Sequence, residues 1–96
     1  MTLADFDLTG RRALVTGGGD GLGRRMTEAL VDAGADVVIC GRRLEVVQAA
    51  AAEIGPRVTA VQADVTSVAD VDRLVEIAGD IDVLVNNAGL SHRAHW

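Results

Sequence analysis

Tyrosine and lysine are both missing from this chain of 96 residues, and all nine of its cationic side chains are Arg. Chemistry that needs a phenol or a primary amine therefore cannot be assigned to any residue in it. Aromatics make up only 2% of the residues, so a core has to be built from Ala, Val, Leu and Ile. That mixture suits helices packed closely on a parallel sheet whose strands are buried on both faces. The one cysteine, Cys40, has no second thiol to pair with. Lying in the apolar run Val37 to Cys40, it reads as a small buried hydrophobe rather than a reactive thiol. No basic segment followed by an apolar one opens the chain, and no apolar stretch approaches bilayer length, so a soluble cytoplasmic protein is expected. The formal charge is −5, and Arg gathers only in the pairs Arg11-Arg12, Arg24-Arg25 and Arg42-Arg43. A nucleic-acid or anionic-membrane partner would want a basic face, which sets both aside.

What is present is a clean alternation. Short apolar runs at Ala13–Val15, Val37–Cys40, Val58–Ala63 and Ile81–Val85 read as strands. Between them lie three helical stretches. The first carries Leu22, Met26, Leu30 and Ala33 on one stripe and ends at Gly34. The second carries Leu44, Val47, Ala51 and Ile54 and stops at Gly55-Pro56. The third opens at Ser67, with Asp70 three residues on resembling a capping box. It is expected to turn Val68, Val71, Val75 and Ala78 inward and to close at Gly79. The result is one β-α-β-α-β-α-β unit over residues 1–96, an α/β doubly wound fold of Rossmann type. Right-handed crossovers predict the spatial strand order 3-2-1-4, with a ligand crevice at the strand C-termini where the order reverses.

Residues 16 to 23 read Thr-Gly-Gly-Gly-Asp-Gly-Leu-Gly, directly after the first strand. Glycines let backbone N–H groups approach phosphate oxygens, and the helix N-terminus that follows adds partial positive charge. Five glycines in seven residues exceed what a bare strand-to-helix turn needs. The spacing Gly17, Gly21, Gly23, with Thr16 before it and Asn86-Asn87-Ala88-Gly89 after the fourth strand, resembles the short-chain dehydrogenase/reductase family. The resemblance runs from about Leu8 to the end of the chain.

Several site assignments follow from that resemblance. Gly17, Gly18, Gly19, Asp20, Gly21 and Leu22 would wrap the diphosphate and adjoining ribose of a dinucleotide, and Gly23 would let helix pack on strand. Asp64 would accept from the adenine amino group, and the Val65 N–H would donate to the ring. Asn86 and Asn87 would support neighbouring loops and help hold the sheet together, Asn86 would also touch the cofactor ribose, and Ala88 and Gly89 would keep the floor of the site flat. Arg42 stands nineteen residues past Gly23, where NAD-binding relatives of this fold place an acid on the ribose hydroxyls. A guanidinium there can pair with a 2′-phosphate, and Gly41 offers no carboxylate to repel it, so NADP(H) is favoured over NAD(H). Asp20 works against that preference or serves as a helix cap or ribose acceptor. His92 and His95 have metal-ligand spacing but no Cys or carboxylate partner nearby, so no metal site is assigned.

The family resemblance also implies a Ser and a Tyr four residues before a Lys as the proton-transfer machinery. With neither Tyr nor Lys here, no residue is assigned a catalytic role. The chain is expected to be the cofactor-binding part of an alcohol/carbonyl oxidoreductase, truncated after the fourth strand and inactive alone. Its small alcohol or carbonyl substrate and any homo-oligomer would belong to the full-length form. Crossovers 1→2 and 2→3 are expected to put their helices on one face and crossover 3→4 its helix on the other, which leaves the second face under-covered and the apolar fourth strand with an open edge. Two rival readings stay open: a stand-alone module that binds the dinucleotide without chemistry, and a folded remnant that binds nothing well.

Overall fold

The computed structural model describes residues 7–87. Four parallel strands, β1 (Arg12–Thr16), β2 (Asp36–Gly41), β3 (Val58–Gln62) and β4 (Val83–Asn86), form one sheet in the order β3-β2-β1-β4. The register pairs Leu14 with Val38 on one side and with Leu84 on the other. Helices α1 (Gly21–Asp32), α2 (Leu44–Ile54) and α3 (Val68–Ala78) make the crossovers. The predicted architecture and strand order are both observed.

Alternate residues of each strand feed separate cores, as a parallel sheet covered on both faces requires. Val15, Val37 and Ile39 meet Leu30 of α1 and Val47 and Ala50 of α2 on one face. Leu14, Val38, Cys40 and Val61 meet Leu74 and Ala78 of α3 on the other. Two helices thus serve the first face and one serves the second. Leu84, in the open outer strand, is 64% exposed on that thinner side. Cys40 is fully buried there, and burial pushes its thiol pKa up, in keeping with a packing role. No helix among the described residues is long and apolar enough to cross a membrane.

Helix ends follow the glycines. Gly34, Gly55 and Gly79 have φ of +105°, +134° and +70°, a region that L side chains rarely enter. Ser67 caps α3 as expected, its Oγ accepting from the Asp70 N–H at 3.3 Å. Asp70 departs from a capping box, because its Oδ2 reaches past the cap to accept from the Asp64 N–H at 2.8 Å.

That bond corrects the expected inner face of α3. Pinning Asp70 to the end of β3 fixes the rotation of the helix, and at about 100° per residue it carries Val68 and Val75 far from the sheet. They are 76% and 58% exposed, while Leu74 and Ala78 are buried and Val71 half-buried. The stripe on α1 is corrected likewise: Leu22 is 57% exposed, and Thr27 is the side chain buried there together with Leu30. Thr27 is tolerated because its hydroxyl donates to the Gly23 carbonyl at 2.8 Å. On α2, Leu44 is exposed and Ala50 is buried in its place. β4 begins two residues later than Ile81, since the Asp82 carboxylate accepts from the Arg12 N–H at 2.9 Å ahead of the ladder.

The corrected face of α3 is testable by urea denaturation. Leu74→Ala should cost about 2–4 kcal/mol by emptying the thinner core, whereas Val75→Ala should change stability by less than about 0.5 kcal/mol. Equal losses would place both residues in the same environment, against the observed rotation.

Candidate functional site

A cleft of about 610 Å³ lies along the C-terminal ends of β1, β2 and β3. Its lining brings together Gly17 and Gly19 after β1, Arg42 and Arg43 after β2, and Asp64 and Val65 after β3. These segments are far apart in the chain and meet only because the strands run parallel.

The glycine loop is built by close approach. A Cβ on Gly18 would lie 2.6 Å from Ile39 Cγ2, and one on Gly23 would lie 2.0 Å from the Gly17 carbonyl oxygen. Gly18 therefore packs onto β2, and Gly23 lets the first turn of α1 press against the loop backbone rather than against a strand. Gly17 and Gly21 are needed for their conformations, with φ of +66° and +54°. A Cβ on Gly21 would meet no atom within 4 Å, so its demand is conformational and its outer side is open.

Asp20 occupies the N-cap position of α1, but its side chain makes no capping hydrogen bond, and the first turn holds no acid. The first-turn N–H groups thus keep their positive end without a side-chain acceptor, which suits an anion. The Asp20 carboxylate instead faces Arg43, with Oδ2 3.7 Å from Nη2, in an exposed ion pair. Arg42 differs. Its backbone carbonyl accepts from Gln62 Nε2 at 3.1 Å, and its guanidinium has no carboxylate within 4.0 Å among the described residues.

Asp64 follows β3. Its Oδ1 accepts from the Thr66 N–H at 2.9 Å and from Thr66 Oγ1 at 2.6 Å. These two bonds, the hydroxyl's first, hold the Asp64 carboxyl below the usual carboxylate value, with the Arg42 charge adding a smaller push in the same direction. On the other side of β1, Asn87 ties the end of β4 to the glycine loop. Its N–H donates to Thr16 Oγ1 at 2.9 Å and its Nδ2 donates to the Gly17 carbonyl at 3.1 Å. Asn86 Oδ1 lies 3.0 Å from Thr16 Oγ1.

Of the residues expected at the site, Gly17, Gly19, Asp20, Arg42, Asp64 and Val65 line the cleft. Gly18 and Gly23 are packing positions outside its lining, and Gly21, Leu22 and Asn86 do not line it either. Ala88, Gly89, His92 and His95 fall outside the described residues. Sequence reading passed over Thr66, which lines the cleft and holds Asp64. The Asp-x-Thr spacing after a strand, a pattern that favours an Asx turn, was the available signal.

The family model for short chain dehydrogenase matches residues 11–95. The chain belongs to the short-chain dehydrogenase family. It is 48% identical over 87 residues to a sorbitol dehydrogenase of Cereibacter sphaeroides, covering 86% of this chain and 34% of that one. Among solved structures it resembles a Pseudomonas aeruginosa RhlG/NADP active-site complex at a TM-score of 0.80 and 41% identity, covering 93% of this chain and 38% of that one. It also resembles a 3-ketoacyl-(acyl-carrier-protein) reductase from Brucella melitensis complexed with NADH, at a TM-score of 0.78 and 41% identity, over 81% of this chain and 34% of that one. The chain spans about a third of the length of the curated relatives it matches.

Two measurements check the site. Gly23→Ala should fail to reach a native thermal transition, because its methyl meets backbone 2.0 Å away, while Gly21→Ala should fold with a penalty of about 1 kcal/mol from its positive φ. The Asp64 carboxylate, lowered on folding, stabilises the folded chain above the ordinary carboxylate pKa, and that contribution is lost as pH falls through the lowered value. Followed by NMR, Asp64 should protonate at lower pH in the parent chain than in Thr66→Val. Coincident titrations would deny the Thr66 bonds any hold on it.

Proposed function

We propose that this chain forms the dinucleotide-binding portion of an oxidoreductase that interconverts alcohols and carbonyl compounds, with NADP(H) favoured over NAD(H). The observation that carries the cofactor preference is Arg42, a cleft-lining guanidinium without a carboxylate partner among the described residues, next to a glycine where an acid would oppose a phosphate. The two solved relatives named above carry NADP in one case and NADH in the other, so family membership alone does not choose between them.

The residues fit a dinucleotide on structural grounds. The Gly17 to Gly23 loop leaves backbone N–H groups and the uncapped start of α1 to hold the diphosphate. Arg42 would pair with the 2′-phosphate. Asp64 would accept from the adenine amine and the Val65 N–H would donate to the ring. Asn86, at the end of β4, would touch the cofactor ribose. A bound nicotinamide supplies hydride transfer to or from the substrate carbon. The 96 residues hold no Tyr or Lys, so proton transfer would need groups from outside them, and the chain alone would bind without turnover.

Titration of the chain with NADPH and with NADH tests this reading. NADPH should bind in the micromolar range, and Gly21→Val should abolish binding of both. Arg42→Ala should weaken NADPH about tenfold and leave NADH within about twofold. Failure of both dinucleotides to bind would overturn the proposal and leave a folded remnant. An equal loss for both in Arg42→Ala would remove the NADP preference.

A further inference from the structure

We infer that Thr66 is a positioning residue that orients the Asp64 carboxylate to accept from the exocyclic amine of an adenine base. This rests on the dinucleotide reading above, in which Asp64 accepts from the adenine amine, and adds to it the residue that orients that acceptor.

The Asp64 carboxylate is shared between two tasks by geometry. Both hydrogen bonds from Thr66 converge on Oδ1, at 2.9 Å from the N–H and 2.6 Å from the hydroxyl. Oδ2 has no hydrogen-bond partner among the described residues, and Asp64, Val65 and Thr66 all line the cleft. The backbone beneath is equally constrained, since the Asp64 N–H donates to Asp70 Oδ2 and the Asp70 N–H donates to the Ser67 cap. A carboxylate is an acceptor only. Held with one oxygen engaged, it offers the other to a donor and repels a carbonyl in the same place. Adenine carries an amine at that position of the ring and hypoxanthine carries an oxo group, so the arrangement discriminates between them.

The alternative orientation is nearby. Arg42 lines the same cleft and lowers the Asp64 pKa through space, yet no ion pair within 4.0 Å joins them. Freed from Thr66, the carboxylate could turn toward that guanidinium. The base would then lose its acceptor. Thr66 keeps the acid and the cation apart, and a pre-oriented acceptor loses less freedom when the base arrives.

The test compares NADPH with its deamino analogue, in which hypoxanthine replaces adenine, by titration of the parent chain and four variants. The parent should favour the adenine form about tenfold, the scale of one hydrogen bond to a charged group. Thr66→Val should bring that ratio below about threefold by weakening the adenine form alone, and Thr66→Ser should keep it. Asp64→Asn is the sharper variant. With Thr66 donating to its amide oxygen, the amide nitrogen faces the base, and the preference should invert toward hypoxanthine. Asp64→Asn combined with Thr66→Val should lose the preference in either direction. A Thr66→Val chain that weakens both forms equally would show a merely structural role and overturn the inference. If Thr66→Val does not fold, an Asp64→Asn chain that still favours adenine overturns it independently. A parent chain that binds neither form defeats the dinucleotide reading itself. One that binds both forms equally defeats only the base selectivity.

Discussion

The approach of α1 to the glycine loop is the contact on which the rest of the site depends. Residue 23 sits so close to the Gly17 carbonyl that even a methyl group would stand 2.0 Å from it. No rearrangement of a flexible side chain can relieve that contact, because the obstacle is backbone. The hypothetical methyl would also lie 2.6 Å from Asn87 Nδ2, which itself donates to the Gly17 carbonyl. One small volume therefore joins the end of β1, the first turn of α1 and the end of β4. The direction of the α1 axis follows from this packing, and with it the place where the helix presents its unpaired N–H groups. The cradle formed by the glycine loop is the outward side of a steric constraint.

The two faces of the sheet are held unequally. Leu30, Val47 and Ala50 come from two helices and close the first face around Val15, Val37 and Ile39. The second face depends on Leu74 and Ala78 of one helix, and leaves Leu84, Val75 and Val68 exposed among the described residues. The cleft draws its lining from β1, β2 and β3 rather than from β4. The loops that follow β1 and β2 therefore rest on the better-packed side, through α1 and α2, whereas the loop that follows β3 is held by Asp70 and Ser67 at the start of α3 on the thinner side.

Much of this was legible in the sequence, for identifiable reasons. Strand runs such as Val37 to Cys40 are continuous and apolar because both faces are buried, and that signal does not depend on knowing which residue points where. Glycine spacing encodes backbone requirements directly, so the loop and the helix ends were readable. The misplaced residues are those whose environment depends on one distant bond. Val68 and Val75 satisfy a helical stripe as well as Leu74 does, and only the reach of Asp70 to the Asp64 N–H selects between the two rotations. Leu22 looks like core by type, yet Gly23 brings the helix so near the loop that the buried position passes to Thr27. Asp20 could have opposed a 2′-phosphate, capped α1 or met a ribose; its pairing with Arg43 was not encoded in spacing.

Charge in the cleft is arranged by pairing rather than by number. Two arginines and two aspartates line it, so its formal charge is balanced, and a count alone would assign no preference for an anionic ligand. The pairings break that symmetry. Asp20 faces Arg43, which leaves both partly satisfied at the exposed rim. Asp64 is engaged by hydrogen-bond donors that carry no charge, so its charge is retained and its orientation fixed. Among the described residues Arg42 is left as the cleft cation without a carboxylate partner, while its backbone is secured by Gln62. An exposed ion pair contributes little stability and is readily screened, so the Asp20–Arg43 contact is the adjustable member of the set. The neutral Thr66 bonds do not weaken with salt in the same way. In the proposed reading, recognition of a base by Asp64 would therefore persist across ionic strengths at which recognition of a phosphate by Arg42 would decline, because the first depends on a hydrogen-bonded orientation and the second on an open charge.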